Sequence, residues 1–196
     1  LINLISRKIM NYKLYENFNE LCDFVVDRLK ENEVIAWFQG KSEFGPRALG
    51  NRSILANPTF DNKDYINDNI KHREHWRPYA PIMLEEELHN WYSIPKLSSP
   101  YMLFNAILLE NKRGDVPSVT HHDNTARVQT VNIDLNSRMY TLLKTFSNKT
   151  GVPMLLNTSF NIAGEPIVQS PTDAMKTFNG CPIKYLIIHN YIFSKE

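Results

Sequence analysis

Residues 34–53 read VIAWFQGKSEFGPRALGNRS. The first five are apolar and rich in strand formers, so the run reads as a buried strand. Residues 40–53 cannot continue it. They hold three glycines and a proline, which exclude an ordinary helix, and a charge mixture (Lys41, Glu43, Arg47, Arg52) that excludes a buried strand. A strand running straight into a cationic, glycine-rich loop puts that loop at a strand's carboxyl end, where open α/β sheets bind ligands. GKS at 40–42 is not a nucleotide P-loop, because that pattern requires glycine at position 35, which is isoleucine. Two readings stay open. One is a solvated, salt-bridged loop. The other is an anion site in which Gly40, Gly45 and Gly50 let backbone amides approach while Lys41 and Arg47 supply charge.

Working outward, Asn17–Asn32 predicts a helix: Asn17 and Glu20 have capping-box spacing, and Phe18, Leu21, Val25 and Leu29 share a face. Residues 62–74 suggest a short polar helix, and 77–84 a proline-punctuated strand entry. YMLFNAILLE at 101–110 is the clearest strand-like run. RVQTVNI at 127–133 alternates as one strand. Ser137–Lys149 predicts a helix with Met139, Leu142, Leu143 and Phe146 as its stripe. VPMLL at 152–156 reads as a buried strand opening into a polar loop, NTSFNIAGE. Ser170-Pro171 with Asp173 marks a helix start, Gly180 its end, and KYLII and YIF supply the last strands. Mixed strands and helices make the class α/β or α+β around a central sheet.

Composition bounds the function. With 196 residues the chain is one domain, or one with a small extension. A net charge of +1 argues against nucleic-acid binding through bulk charge, and no apolar run approaches the roughly 20 residues that span a bilayer. LINLISRKIM is too short and too interrupted by charge for a signal peptide, so a reducing, cytoplasmic setting is expected. Cys22 and Cys181 cannot make a zinc site alone or a disulfide framework.

The polar clusters are less specific. His121 and His122 beside Asp123 lack a third ligand at recognisable spacing, and read as loop histidines rather than a metal site. Thr125, Arg127 and Thr130 surround a strand start. Asn157, Thr158, Ser159 and Asn161 follow a strand; they are turn formers, or neutral hydrogen-bond donors beside the cationic loop. No Ser-His-Asp arrangement and no paired carboxylates are readable.

Six blocks in consistent order, FQGKSEFGPRALGNRSILANP, IKHREHWRPYAP, SPYML, VTHHDNTARVQTV, TGVPMLLNTSFNIAGEPIVQSPTDA and KYLIIHNYIF, resemble the carboxyl-terminal domain of the O-carbamoyltransferase family of nodulation-factor and antibiotic-tailoring enzymes. The resemblance runs from about Val34 to the end, leaving residues 1–33 as an extension and first helix and 34–196 as the domain. It implies a YrdC-like, twisted open mixed sheet with flanking helices, making carbamoyl-adenylate from carbamoyl phosphate and ATP, with Mg²⁺ accompanying the nucleotide. It further implies an actin-like partner domain that passes the carbamoyl group to a hydroxyl. Carried over by position, Lys41, Arg47, Arg127 and Ser159 fall on the catalytic anchors, and Asn161 completes a Ser-x-Asn element. Arg52, Ser53, Arg77, Thr125, Asn157 and Thr158 are further substrate-binding candidates. Lys41 stands where members often carry Arg, and Asn57, Thr59, His122, Asn124 and Ala163 depart from the usual pattern. A non-catalytic nucleotide- or RNA-binding module, or a docking subunit, is the alternative.

Overall fold

The computed structural model describes residues 11–195; the opening LINLISRKIM lies outside the described residues. Eleven strands are described: β1 Asn11–Leu14, β2 Ile35–Phe38, β3 Arg52–Ala56, β4 Ala80–Leu84, β5 Tyr92–Ser93, β6 Asn105–Leu108, β7 Thr125–Arg127, β8 Gln129–Val131, β9 Met154–Ser159, β10 Tyr185–Ile188 and β11 Tyr191–Ser194. Eight of them form one mixed sheet in the order β1-β11-β10-β2-β3-β9-β4-β8, and β5-β6-β7 form a small antiparallel sheet. The helices are α1 Phe18–Lys30, α2 Lys63–Ile66, α3 Leu88–Trp91, α4 Ser137–Thr150 and α5 Pro171–Asn179. Among the described residues no helix is long and apolar enough to cross a membrane.

Alternation along the central strands builds two cores. Ile35 and Trp37 of β2, Leu55 of β3 and Leu155 of β9 face α1 and α4, where Leu21, Val25, Leu29, Met139, Leu142 and Phe146 meet them. Ala36, Phe38, Ile54 and Leu156 point the other way, to α5, the segment around Ile66 and Ile70, and the small sheet. Covered on both faces, β2 buries all four residues, which is why its sequence shows an apolar run instead of alternation. The helix starts are local chemistry. Asn17 Oδ1 accepts from the Asn19 amide, and Ser170 and Asp173 form a full capping box on α5.

Three sequence expectations change. The run at 101–110 is a strand only over Asn105–Leu108; Met102 sits at φ 55°, a left-handed conformation that ends pairing, and Tyr101 and Leu103 are exposed. Residues 127–133 are not one strand: the chain leaves the small sheet after Arg127 and enters the large one at Gln129, with Val128 buried at the crossing. Asn157, Thr158 and Ser159 belong to β9 rather than to a loop, in register with Leu55, Ile54 and Ser53.

The topology gathers the polar segments. β2 and β10 run parallel, β3 and β4 oppose β2 and β9 respectively, and β8 parallels β4. The carboxyl ends of β2, β9 and β10 and the amino ends of β3, β4 and β8 therefore share one sheet edge. The 39–51 loop, residues 67–79, Arg127 and Asn161 all lie there.

Gly50 closes that loop with φ +101°, and a Cβ there would meet Ile82 Cδ1 at 3.1 Å and Met139 Cε and Cγ at 3.3 Å. Gly50→Ala combines a left-handed backbone with overpacking of the α4 face. It is expected to destabilise by about 2–4 kcal/mol in urea unfolding, with an unchanged m-value.

Candidate functional site

The 39–51 loop is organised from inside by one carboxylate. Glu43 Oε1 accepts from the backbone amides of Leu49 (2.8 Å), Asn51 (2.7 Å) and Arg52 (3.2 Å), closing the chain into a ring. Strands clamp the ring from below. Trp37 Nε1 donates to Gly50 O, Gln129 Nε2 to Leu49 O and Asn157 Nδ2 to Ala48 O, at 2.9–3.0 Å. Arg52 is buried; its guanidinium donates to the carbonyls of Gln39, Gly40 and Asn51 and stacks 3.6 Å from the Phe38 ring centroid. Ser53 is fully buried and accepts from the Gly50 amide. Arg52, Ser53 and Asn157, named above as substrate contacts, thus help hold the loop in shape, while Arg52 Nε and Asn157 Oδ1 have no partner among the described residues.

The deepest polar feature at the edge is a residue the sequence reading passed over. Residues Asn67–Lys71 make a π-helical turn that ends at His72 in the left-handed region, φ 45°. This wider turn carries Lys71 under the end of β9. Its ammonium donates to Ser159 O (2.9 Å), Asn161 O (2.8 Å) and Asn161 Oδ1 (2.6 Å), with Ser159 Oγ at 3.3 Å. Ser159 Oγ in turn donates to Asn161 Oδ1 at 2.7 Å. All of Lys71's hydrogen-bond partners are neutral oxygens. Burial, and behind it the like charge of Arg73, pulls its pKa down to about 7. On the other side of His72, Arg73 donates to Asn67 Oδ1 and lies over the Tyr79 ring, while its buried Nη2 has no partner. A buried guanidinium nitrogen left open beside an ammonium with no carboxylate partner among the described residues can accept an anion.

These groups line a cleft of about 720 Å³ together with Arg77, Ser159, Asn161 and the Ala163-Gly164 turn. The size suits a small-molecule ligand. Arg77 is exposed and paired with Glu74 at 2.8 Å. Of the residues expected from sequence, the cleft thus gathers Ser159, Asn161 and Arg77; Lys41, Arg47 and Arg127 do not line it. Lys41 and Arg47 are exposed on the ring. Burial, and behind it the charge of Arg47, lowers the pKa of Arg127, so these two guanidinia lie within electrostatic reach of one another along the same edge. The buried Arg127 Nε has no hydrogen-bond partner. Thr125 is held locally by Asp123 and His121, and Thr158 pairs with Ile54 across β3 and β9. Among the described residues, no group of three or more His, Cys, Asp or Glu could hold a metal ion, so His121 and His122 have no ligand set around them.

The carbamoyltransferase C-terminus family matches residues 26–195. The nodulation protein NolNO of Sinorhizobium fredii is 46% identical over 184 residues, covering 90% of this chain and 27% of that protein. The nodulation protein NolO of Bradyrhizobium diazoefficiens is 42% identical over 181 residues, covering 91% of this chain and 33% of that protein. The chain therefore spans about a third or less of the length of these curated relatives. Among solved structures, P. abyssi Sua5 complexed with L-threonine superposes with a TM-score of 0.63 at 18% identity, over 87% of this chain and 46% of that one. Full-length HypF in its phosphate- and nucleotide-bound form gives 0.57 at 15%, over 88% of this chain and 21% of that one. These likenesses show the fold, which is the YrdC-like mixed sheet with flanking helices.

Lys71 makes anion binding depend on pH with a definite sign. Below about pH 7 the ammonium is already charged; between about 7 and its ordinary 10.5 the free protein holds it increasingly neutral. An anion in the cleft restores the charge, so binding at pH 8 is expected to take up close to one proton, and affinity to fall as pH rises above about 7. Titration calorimetry with inorganic pyrophosphate in buffers of different ionisation enthalpy reads this directly, and Lys71→Met should abolish the uptake.

Proposed function

Given that the chain belongs to the carbamoyltransferase C-terminal family, we propose that it is the activating module, joining carbamate derived from carbamoyl phosphate to the adenylyl group of ATP. The observation that carries this reading is the anion-receptive cluster of Lys71, Arg73, Ser159 and Asn161 in a cleft at the common sheet edge. Water first cleaves carbamoyl phosphate: its oxygen bonds to phosphorus, the bond from phosphorus to the carbamoyl oxygen breaks, and carbamate leaves with the electron pair beside inorganic phosphate. A carbamate oxygen then attacks the α-phosphorus of ATP, the bond from that phosphorus to the bridging oxygen breaks, and pyrophosphate leaves with the electron pair. Two anions must meet in this step, and fixed cations lower their repulsion and stabilise the leaving group.

Each group has a part that its geometry supports. Lys71, buried, and Arg73, half-buried and held by Asn67, are already oriented at the cleft and meet the developing charge without reorganising. Ser159 and Asn161 hold the small carbamoyl group by hydrogen bonds rather than acting as nucleophiles; the Ser159 hydroxyl already donates to Asn161 Oδ1, and the Lys71 ammonium 3.3 Å away is directed at the carbonyl and amide oxygens. Arg47 and Arg127, within electrostatic reach of one another and without an ion pair among the described residues, offer a second anion contact for the departing pyrophosphate or for carbamoyl phosphate. Mg²⁺ enters with the nucleotide, held by phosphate oxygens and water, which suits a site without a carboxylate cluster. Transfer to a hydroxyl acceptor falls to the larger part of the relatives that this chain does not span, for which the sequence resemblance implies an actin-like domain.

Pyrophosphate release is the test. Release that requires both ATP and carbamoyl phosphate is expected from the wild-type chain, and Lys71→Met and Arg127→Ala should each lower it by about 100-fold or more. Ser159→Ala should cost less, because Asn161 still accepts from Lys71. Nucleotide binding without pyrophosphate release by this chain, alone or with the remainder of a relative supplied, would leave only a binding module.

A further inference from the structure

Beside the anion cleft lies a second one of about 420 Å³, and the two share Arg77 in their walls. Its character is different. Trp76 lines it with 73% of its surface exposed, next to Pro78, His121 and Thr120. The other tryptophans, Trp37 and Trp91, are buried in the core. A large indole left open to water is unfavourable unless something covers it, and here it forms part of a concave wall. The Arg77 guanidinium stands 5.7 Å from the indole centroid, at the junction of the two clefts. The rim offers directional groups. His121 Nδ1 is engaged by Thr125 Oγ1 at 3.1 Å, which leaves Nε2 for a ligand. Asp64 is held by His75 at 2.9 Å, which ties the loop carrying Trp76 to α2, whereas the Asp61 carboxylate on the same wall makes no ion pair.

We propose that this second cleft is the nucleobase subsite: a purine base stacks on Trp76 while the phosphates of the same nucleotide reach past Arg77 to Lys71 and Arg73. The inference rests on the nucleotide reading above and adds to it the residues that choose the base. A planar heteroaromatic ring gains by stacking on an indole, and the neighbouring guanidinium adds a cation–π contribution on either ring. Asp61 and His121 both accept from an exocyclic amine: the Thr125 hydroxyl is spent on Asp123, so His121 Nδ1 donates to Thr125 Oγ1 and the Nε2 of the imidazole, whose pKa burial lowers, is left as an acceptor. Shared walls give the two halves of one ligand a continuous path.

Trp76 is itself the reporter, since it is the exposed indole. Expected results are quenching of tryptophan emission by ATP, no quenching by tripolyphosphate, and binding of both ligands by calorimetry. Trp76→Ala should weaken ATP by about tenfold and leave tripolyphosphate unchanged, and Trp76→Phe, which keeps a ring, should recover most of the ATP affinity. ATP binding that neither changes Trp76 emission nor weakens in Trp76→Ala overturns the subsite while leaving the anion cleft standing. A wild-type chain that binds neither ATP nor tripolyphosphate overturns the nucleotide reading itself, and the subsite with it.

Discussion

An ammonium buried under the end of a strand, with neutral oxygens as its hydrogen-bond acceptors, is the constraint around which this site is arranged. Taking the charge of Lys71 out of water is costly, and a carboxylate partner would have repaid much of the cost. The chain supplies instead two carbonyls, an amide oxygen and a hydroxyl, all from Ser159 and Asn161. These share the proton without cancelling the charge. The result is a lysine at the floor of a cleft whose positive charge is full below about pH 7 and, above it, responds to whatever anion sits there.

The surrounding architecture serves to keep that arrangement. A π-helical turn, a left-handed histidine and Asn67 Oδ1, which accepts from both Arg73 and Tyr79, hold Lys71 and Arg73 on the same wall. Across the edge, Glu43 draws the 39–51 loop into a ring and the buried amides of Gln129 and Asn157 fasten it to the sheet. Strands thus position the site's polar groups, while side chains on the ring, Trp76 and the cleft rim at Asp68, His72, Glu74 and Arg77 remain open to water.

Much of this was legible in the sequence. The helices were, because their apolar stripes and caps are local signals: α4 buries the same four residues that its spacing selects, and α5 forms the capping box that Ser170 and Asp173 announce. The strand-to-loop step at Phe38 marked the sheet edge at which the 39–51 loop and residues 67–79 meet. What escaped reading depends on distant contacts. Arg52 looks like a ligand-seeking cation, yet Phe38 and three carbonyls claim it; Asn157 looks like a turn former, yet it is a strand residue paired with Leu55. Lys71 was hidden for the opposite reason. Set in a polar helix beside His72 and Arg73, it reads as a solvated face, and the π-helical turn that buries it leaves no periodic trace. A signal did exist, since the pair Lys71-x-Arg73 lies in one of the six blocks that carried the resemblance.

The Glu43 ring also bears on how such a site can change over time. Its closure fixes the spacing between residues 43 and 49–52, so the loop does not tolerate insertion or deletion there. Ala48, Leu49 and Gly50 are tied down by their backbones, and Gly50 has no room for a side chain. Lys41, Ser42, Phe44, Pro46 and Arg47 all point into solvent. The loop is therefore divided into invariant hinges and replaceable facets. A descendant chain can exchange facets such as Ser42, Phe44 and Pro46, adapting to a new neighbouring domain, without renegotiating the fold beneath them, while Lys41 and Arg47 keep the loop's positive charge.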